Sequence, residues 1–326
     1  MMDKGFWEKL PRPIVGLSPM DGVTDAPMRF IAKKYGQPDV IYTEFVSVEG
    51  LWRIQKRGET THKIWNELKF EASEQPIVVQ LFGSDPDSFY EATKIVATMG
   101  FDGVDINMGC PSPGLEKRGG GAGLMRDLGL SHRVIEAVRK GITDTGKEIP
   151  LSVKTRVGSS FPDKEWWKFL AGEELALVAM HGRTFKQLYS GTADWEVLKE
   201  AAVVIKESGT LFLGNGDMKS AVEFREKYAN DFDGVLIGRA AIGNPWVLLK
   251  DGKEPSLKEK LEAAVEHARV FEKDLPGNKF EMMRKHLAWY AHGFEGAGGL
   301  RRKLVVSNSA DEVEQIIGEF LDTALN

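Results

Sequence analysis

The sequence predicts an α/β chain, a (β/α)8 barrel followed by a small helical bundle. Three observations carry that reading. Over roughly the first 245 of the 326 residues, a short apolar run, a glycine-rich or polar turn and a helical stretch recur eight times. The chemically capable residues gather where those runs end. Beyond residue 250 the apolar runs cease and only helical periodicity is left.

In chain order the expected strands are IVGL (14–17), DVIYT (39–43), IVVQL (77–81), GVDIN (103–107), PLSVKT (150–155), LALVAMH (175–181), TLFLGN (210–215) and DGVLIG (233–238). Each is short and rich in leucine or β-branched residues, as strands buried on both faces are. Helices are expected between them, over stretches such as 26–35, 86–98, 131–140, 164–171, 194–207 and 218–229. A doubly wound open sheet is the alternative. It usually has fewer strands, and no G-x-G-x-x-G follows the first run. Pro255 then breaks the chain, and Ser256 with Glu259 forms a capping-box pattern. Helical periodicity continues through LKEKLEAAVEHARVFEKDL, KFEMMRKHLAWYAHGF and DEVEQIIGEFLDTAL. We expect a catalytic barrel over residues 1–250 and a helical domain over 251–326.

The composition, 42% hydrophobic and 28% charged, is that of a globular protein. A net charge of −5 argues against coating nucleic acid non-specifically, although a local basic patch remains compatible with it. One cysteine forms no disulfide within the chain. The first residues lack the apolar run of a signal peptide, and no stretch reaches the roughly 20 apolar residues of a membrane span. A cytoplasmic location is expected. The 35 glycines exceed the roughly 23 an average chain of this length carries, and they cluster at turns.

Barrel enzymes keep their sites at the C-terminal ends of the strands. There lie SPMDGVTD, QLFGSDP, NMGCPSPG, KTRVG, HGRT, GNGDM and IGRAAIGNP. Strand alternation pairs Val78 with Gln80, Asp105 with Asn107, Ser152 with Lys154, Ala179 with His181 and Leu213 with Asn215. Gln80, Asn107, Lys154, His181 and Asn215 are therefore expected to point into the barrel mouth. GNGDM and GRAAIG, after strands seven and eight, sit where barrels bind phosphate with backbone N–H groups, and Arg239 adds a charge-assisted contact. Two tight turns that the fold needs anyway are the plainer account.

Lys154 inside a barrel needs a partner, because a buried ammonium loses its hydration. That partner is either Asp105 or Asp217 in an ion pair, or the electron-rich edge of a cofactor. His181 is either a satisfied core histidine or, with Arg183 two residues on, an anion contact. Cys110 is either a buried passenger, the usual state of a free cysteine, or a catalyst presented by the loop that follows a strand. No HExxH, cysteine pair or cluster of carboxylates appears, so no metal site is expected.

Taken together and in order, SPMDGVTDAPMR, VQLFGSDP, GFDGVDINMGCPSP, GGGAGLM, SVKTRVG, HGRT, YSGTADW, GNGD and GVLIGRAAIGNPW resemble the motifs of the tRNA-dihydrouridine synthases. The resemblance covers nearly the whole chain. FEMMRKHLAWY is similar, more weakly, to the C-terminal domain of the bacterial B-type branch. The resemblance implies a barrel that holds FMN, NADPH or NADH as reductant, and a helical domain that helps bind tRNA; it implies no membrane contact and points to no protein partner. Carried over by motif, Ser18, Pro19 and Met20 border the isoalloxazine, and Gln80 and Lys154 contact its pyrimidine edge. His181, Asn215, Gly216, Asp217, Gly238 and Arg239 complete the ring and phosphate contacts. Asn107, Arg156 and Arg183 face the substrate, and Cys110 is the general acid.

The reaction so implied delivers hydride from FMN N5 to uracil C6, while the Cys110 thiol, mostly protonated at neutral pH, gives the proton to C5. The base must leave its stack to be reached. The chain departs from the family pattern at Ser18, where alanine is commoner, and at an extra glycine in KRGGGAGLM, expected to loosen the loop beside Cys110. Lys279, Arg284, Lys285, Arg301, Arg302 and Lys303 form a basic stretch near Trp289 and Tyr290, a candidate RNA surface or a merely solvated face. The competing readings are an FMN barrel that reduces a free pyrimidine, as in dihydroorotate dehydrogenase-like enzymes, and a tRNA-binding relative without catalysis.

Overall fold

The computed structural model describes residues 4–324, without the side chain of Pro113. Eight parallel strands close into one barrel in chain order. They are β1 (Ile14–Leu17), β2 (Val40–Ser47), β3 (Ile77–Phe82), β4 (Gly103–Asn107), β5 (Leu151–Arg156), β6 (Leu177–His181), β7 (Leu211–Asn215) and β8 (Gly234–Ile237). All eight fall on the expected runs. β2 runs four residues past Thr43, because a register shift between Tyr42 and Phe45 lets it go on pairing with β3.

Alternation sorts the strand side chains as the sequence parity requires. Val15, Leu17, Val79, Ile106, Val153 and Met180 face outward into the layer shared with the helices. Ile14, Val40, Tyr42, Val78, Leu177, Ala179, Leu213 and Leu236 fill the interior, which Trp7 closes from below. Among these apolar layers sit Gln80, Asp105 and Ser152, all fully or almost fully buried.

The helices around the barrel are α1 (Ala26–Ile31), α2 (Val48–Arg57), α3 (Ile64–Glu67), α4 (Pro86–Ala97), α5 (Pro113–Glu116), α6 (Leu128–Asp144), α7 (Lys164–Gly172), α8 (Trp195–Lys206) and α9 (Ala221–Tyr228). Asp85, Asp127, Asp163, Asp194 and Ser220 supply N-caps through their side chains, which fixes where α4 and α6–α9 begin. The stretch expected as one helix over 26–35 is α1 followed by a wider π turn, Ala32–Gly36, which Gln37 ends in the left-handed region at φ 46°. None of the expected helices covers α2, whose apolar face buries Val48, Leu51 and Ile54.

The tail folds as α10 (Leu257–Asp274), α11 (Arg284–Tyr290), α12 (Ala297–Leu304) and α13 (Ala310–Ala324). The predicted capping box starts α10: Glu259 N–H donates to Ser256 Oγ and Ser256 N–H to Glu259 Oε2, at 3.2 and 2.8 Å. The helices surround their own core of Leu261, Ala264, Phe271, Leu287, Leu300 and Val313, which also takes in Trp246. Tyr35 from the end of the π turn packs against it, its hydroxyl donating to Glu266 at 2.6 Å. No helix among the described residues is long and apolar enough to cross a membrane.

Candidate active site

The register aligns the polar strand ends. Gln80 lies beside Asp105, Asn107 beside Lys154, Arg156 beside His181, and His181 beside Asn215. A hydrogen-bonded column rises through them. Asp105 accepts from Ser152 Oγ at 2.6 Å and from Gln80 Nε2 at 2.7 Å. Gln80 Oε1 accepts from Asn107 Nδ2 at 2.9 Å. Asn107 Oδ1 accepts the backbone N–H groups of Gly109 and Cys110 at 3.1 and 2.8 Å. Burial is the main force holding the Asp105 carboxyl up at about 6, against hydrogen bonds from Ser152 and Gln80 and the attraction of Lys154.

Above the column opens a cavity of about 820 Å³, lined by Ser18, Met20, Cys110, Lys154, His181 and Arg239 among others. Lys154 Nζ donates to Asn215 Oδ1 at 3.2 Å, and Asn215 is itself held by the Leu236 carbonyl. Asp105 is occupied by Ser152 and Gln80, and Asp217 by two arginines, so neither pairs with this ammonium. Burial, reinforced by Arg156, brings the lysine down to about 8. A cation set at a cavity without a carboxylate calls for electron density from a ligand.

His181 is held neutral. Burial and the cations Lys154, Arg156 and Arg183 push it down to about 2. Its Nδ1 accepts the Arg183 backbone N–H at 3.2 Å, so the neutral ring carries its proton on Nε2. The histidine is therefore a hydrogen-bond donor rather than a cation.

At the strand seven and eight turns, Asp217 organises two arginines. Its carboxylate accepts from Arg183 Nη1 and Nη2 at 2.9 and 2.6 Å and from Arg239 Nη2 at 2.7 Å. Gly216 has φ 124°, and a Cβ there would sit 2.6 Å from that of Ala193, so only glycine fits. Arg239 also lies over the exposed Tyr189 ring, 5.0 Å from its centroid.

Cys110 follows β4 on a loop that is pinned from both sides. Arg156 donates from Nε to the Gly109 carbonyl at 2.9 Å and from Nη1 to the carbonyls of Thr184 and Leu188. Ala122 N–H donates to the Cys110 carbonyl at 3.1 Å. Burial pushes the thiol above its ordinary range. A backbone hydrogen bond from Ser112 opposes this, the Asp21 carboxylate adds to it, and Arg156 and Lys154 oppose it more weakly. The expected loosening by the extra glycine is not what the structure shows. Gly120 and Gly121 are buried, and a Cβ on Gly120 would lie 2.4 Å from the Gly83 carbonyl oxygen, so the run permits close packing.

Over residues 16–325 the chain matches the Dihydrouridine synthase (Dus) family. It belongs to the dihydrouridine synthase family. A probable tRNA-dihydrouridine synthase of Staphylococcus aureus (strain MRSA252) is 34% identical, covering 98% of this chain and 96% of that one. The probable tRNA-dihydrouridine synthase 2 of Bacillus subtilis (strain 168) is 32% identical, covering 98% and 97%. Among solved structures, morphinone reductase is 13% identical with a TM-score of 0.47, covering 73% of this chain and 85% of that one.

In this dihydrouridine synthase the cavity wall collects Ser18, Pro19, Met20, Asn107, Cys110, Lys154, Arg156, His181, Asn215, Gly216, Asp217, Gly238 and Arg239. Gln80 and Arg183 are not on it. Gln80 is fully buried beneath Asn107, and Arg183 spends its guanidinium on Asp217 and on the carbonyls of Ser190 and Gly191. Phe45 and Lys219, unmarked by any motif, do line the wall, as does Tyr189, the first residue of YSGTADW. Tyr189 stood inside a quoted stretch, but only its exposure at the mouth, 62%, singles it out.

The basic stretch of the tail divides. Arg284 donates to the Ser307 and Val306 carbonyls, Arg301 to that of Ala291, and Lys285 to that of Gly22. These three close helix ends and loops, while Lys279, Arg302 and Lys303 are exposed. Tyr290 is core, and Trp289 packs its ring against His286.

Proposed function

We propose that this protein reduces a uridine of tRNA to 5,6-dihydrouridine, with FMN as the bound flavin and NAD(P)H as the reductant. One observation carries the reading: a protonated cysteine thiol and an ammonium without a carboxylate partner open into the same cavity. The residues fit a flavin. Lys154 offers a positive charge where a reduced ring becomes electron-rich, the His181 Nε2–H is a neutral donor, and Arg239, next to Gly238 on the cavity wall, offers a guanidinium for a phosphate. When bound, the flavin supplies two electrons as a hydride to C6 of the uracil.

The protein's own part is to supply the proton. Cys110 Sγ–H protonates C5, turning the C5=C6 double bond into a single bond and leaving a thiolate. Lys154 and Arg156 stabilise that thiolate, and solvent at the mouth reprotonates it. Asn107 fixes the backbone that carries the thiol, and Arg183 acts through Asp217 to set the angle of Arg239. Tyr189 offers a ring at the mouth on which an extruded base can stack. The helices over 257–324, with Lys279, Arg302 and Lys303 exposed, hold the tRNA body, and the work is done in the cytoplasm.

The test is position-by-position dihydrouridine measurement in tRNA from cells lacking the gene and from the same cells with it restored. Loss and return at one or more positions supports the reading; an unchanged pattern overturns it.

A further inference from the structure

Where the helical bundle meets the loop that follows β1, three side chains converge. Asp25 caps α1, His267 lies on α10 and His286 on α11. One ligand atom from each lies within 4.8 Å of the others. Asp25 Oδ2 is 3.9 Å from His286 Nε2, and the two imidazole centroids are 4.7 Å apart.

Both histidines are buried to 1% exposure or less, yet neither nitrogen of His286 nor Nε2 of His267 has a hydrogen-bond partner. Buried nitrogens rarely go unpaired, and three in one spot need an explanation. His267 Nδ1 faces the Tyr290 hydroxyl at 3.2 Å. If Nδ1 donates there, the Nε2 lone pair is free, the usual outer-sphere arrangement of a metal-bound histidine. Asp25 has only its Oδ1 engaged, by Met28 N–H, which leaves Oδ2 toward His286.

We propose that Asp25, His267 and His286 bind one divalent transition-metal ion, zinc first among them, that ties the helical bundle to the barrel. Two imidazoles and a carboxylate suit zinc. The set lacks the several oxygens that calcium or magnesium takes. Three of the four imidazole nitrogens have no hydrogen-bond partner, so a lone pair on each ring is free to coordinate. Arg29 and Lys285 are the nearby cations, but Arg29 is taken by Glu74 and Lys285 by the Gly22 carbonyl, while the Glu44 carboxylate also faces Asp25. No local motif marks this set, because the histidines are 19 residues apart and the aspartate lies at the other end of the chain. The rival occupant is a proton shared between Asp25 and His286.

Full-length protein without an affinity tag, grown with added zinc, separates the two. Elemental analysis is expected to give about one zinc per chain, with a loss on the order of tenfold or more in Asp25→Asn and His286→Gln. Asparagine keeps an oxygen for the helix cap, so Asp25→Asn tests the charge rather than the cap. Cobalt(II) in place of zinc is expected to give visible d–d bands, and His267→Cys to retain the metal with an added thiolate charge-transfer band. Wild-type protein with less than about a tenth of an equivalent of zinc and no cobalt bands overturns the proposal. So does metal content unchanged in both variants. Should the variants fail to fold, the wild-type metal content and cobalt spectrum decide alone.

Discussion

Asn107 Oδ1 accepts the backbone N–H of Cys110 at 2.8 Å, so the reactive loop hangs from a strand residue inside the barrel. The same amide donates to Gln80, which donates to Asp105, so a chain of side chains connects the loop to the buried core. Asn107→Ala leaves two backbone N–H groups and the Gln80 carbonyl without partners. It is expected to cost about 1–3 kcal/mol of stability and a few degrees of Tm, and to lower turnover more than substrate binding. Calorimetry and single-turnover dihydrouridine formation check this. Unchanged Tm and turnover would show that the column does not position the thiol.

Cys110→Ala removes the proposed proton donor without touching the column, because Asn107 contacts the backbone of residue 110 and not its side chain. Turnover is expected to fall roughly 10²–10⁴-fold, the usual worth of a general acid, while FMN and tRNA affinities stay near wild type. Reaction rates near wild type would assign the proton to another group.

The strand parity that put Asn107 and Lys154 in the mouth was legible in the sequence, because alternation leaves few choices once a strand's outward face is apolar. What alternation does not report is depth. Gln80 and Asn107 were both expected at the mouth, yet Gln80 lies below Asn107 and holds it. Arg183 and Asp217 are 34 residues apart, and no local pattern shows that one guanidinium is consumed by the other. The same blindness made Arg284, Lys285 and Arg301 look like part of one solvent-facing basic stretch, although their partners are carbonyls that only the folded chain brings near. In α12, Gly298 and Gly299 lower helix propensity, and packing of Leu300 and Leu304 overrides it.

Lys154 sets a pH dependence. Its pKa is about 8 in the folded protein against the ordinary 10.5, so the unfolded chain binds more protons between those values. The destabilisation by this buried charge is present in full below about pH 8 and is relieved as pH rises toward 10.5, so this group makes the ligand-free protein more stable across that window. Flavin affinity should run the opposite way, weakening above about pH 8 as the ammonium proposed to face the ring is lost. Titration of flavin-free protein with FMN, followed by flavin fluorescence, checks this. Lys154→Met is expected to bind more weakly below pH 8 with a flat profile, and a wild-type profile that is itself flat would place the ring away from Lys154.

Arg239 offers a separable test of the phosphate corner. Its guanidinium is held by Asp217 on one side and lies over Tyr189 on the other, at the turn where a phosphate is expected. Arg239→Ala is expected to weaken FMN binding about 10–100-fold and riboflavin binding little, since riboflavin lacks the phosphate. Equal losses for both ligands would move the contact to the ring.

Arg29 tests whether the loop after β1 is held from behind. It is fully buried, donating from Nε to Glu74 at 2.7 Å and from Nη1 and Nη2 to the carbonyls of Thr24 and Lys69. Thr24 in turn accepts Met20 N–H through its hydroxyl, so the ion pair lies two bonds of structure behind the cavity wall. Arg29→Met strands the Glu74 carboxylate and two carbonyls, and is expected to cost about 3–5 kcal/mol of stability, as one-sided removal from a buried pair does. Replacing both partners, Arg29→Met with Glu74→Leu, removes the stranded charge and should recover part of the loss. Denaturant unfolding of the wild type and the two variants checks the order; a double variant less stable than the single one would show that the Glu74 bond to the Glu71 N–H outweighs the stranded charge.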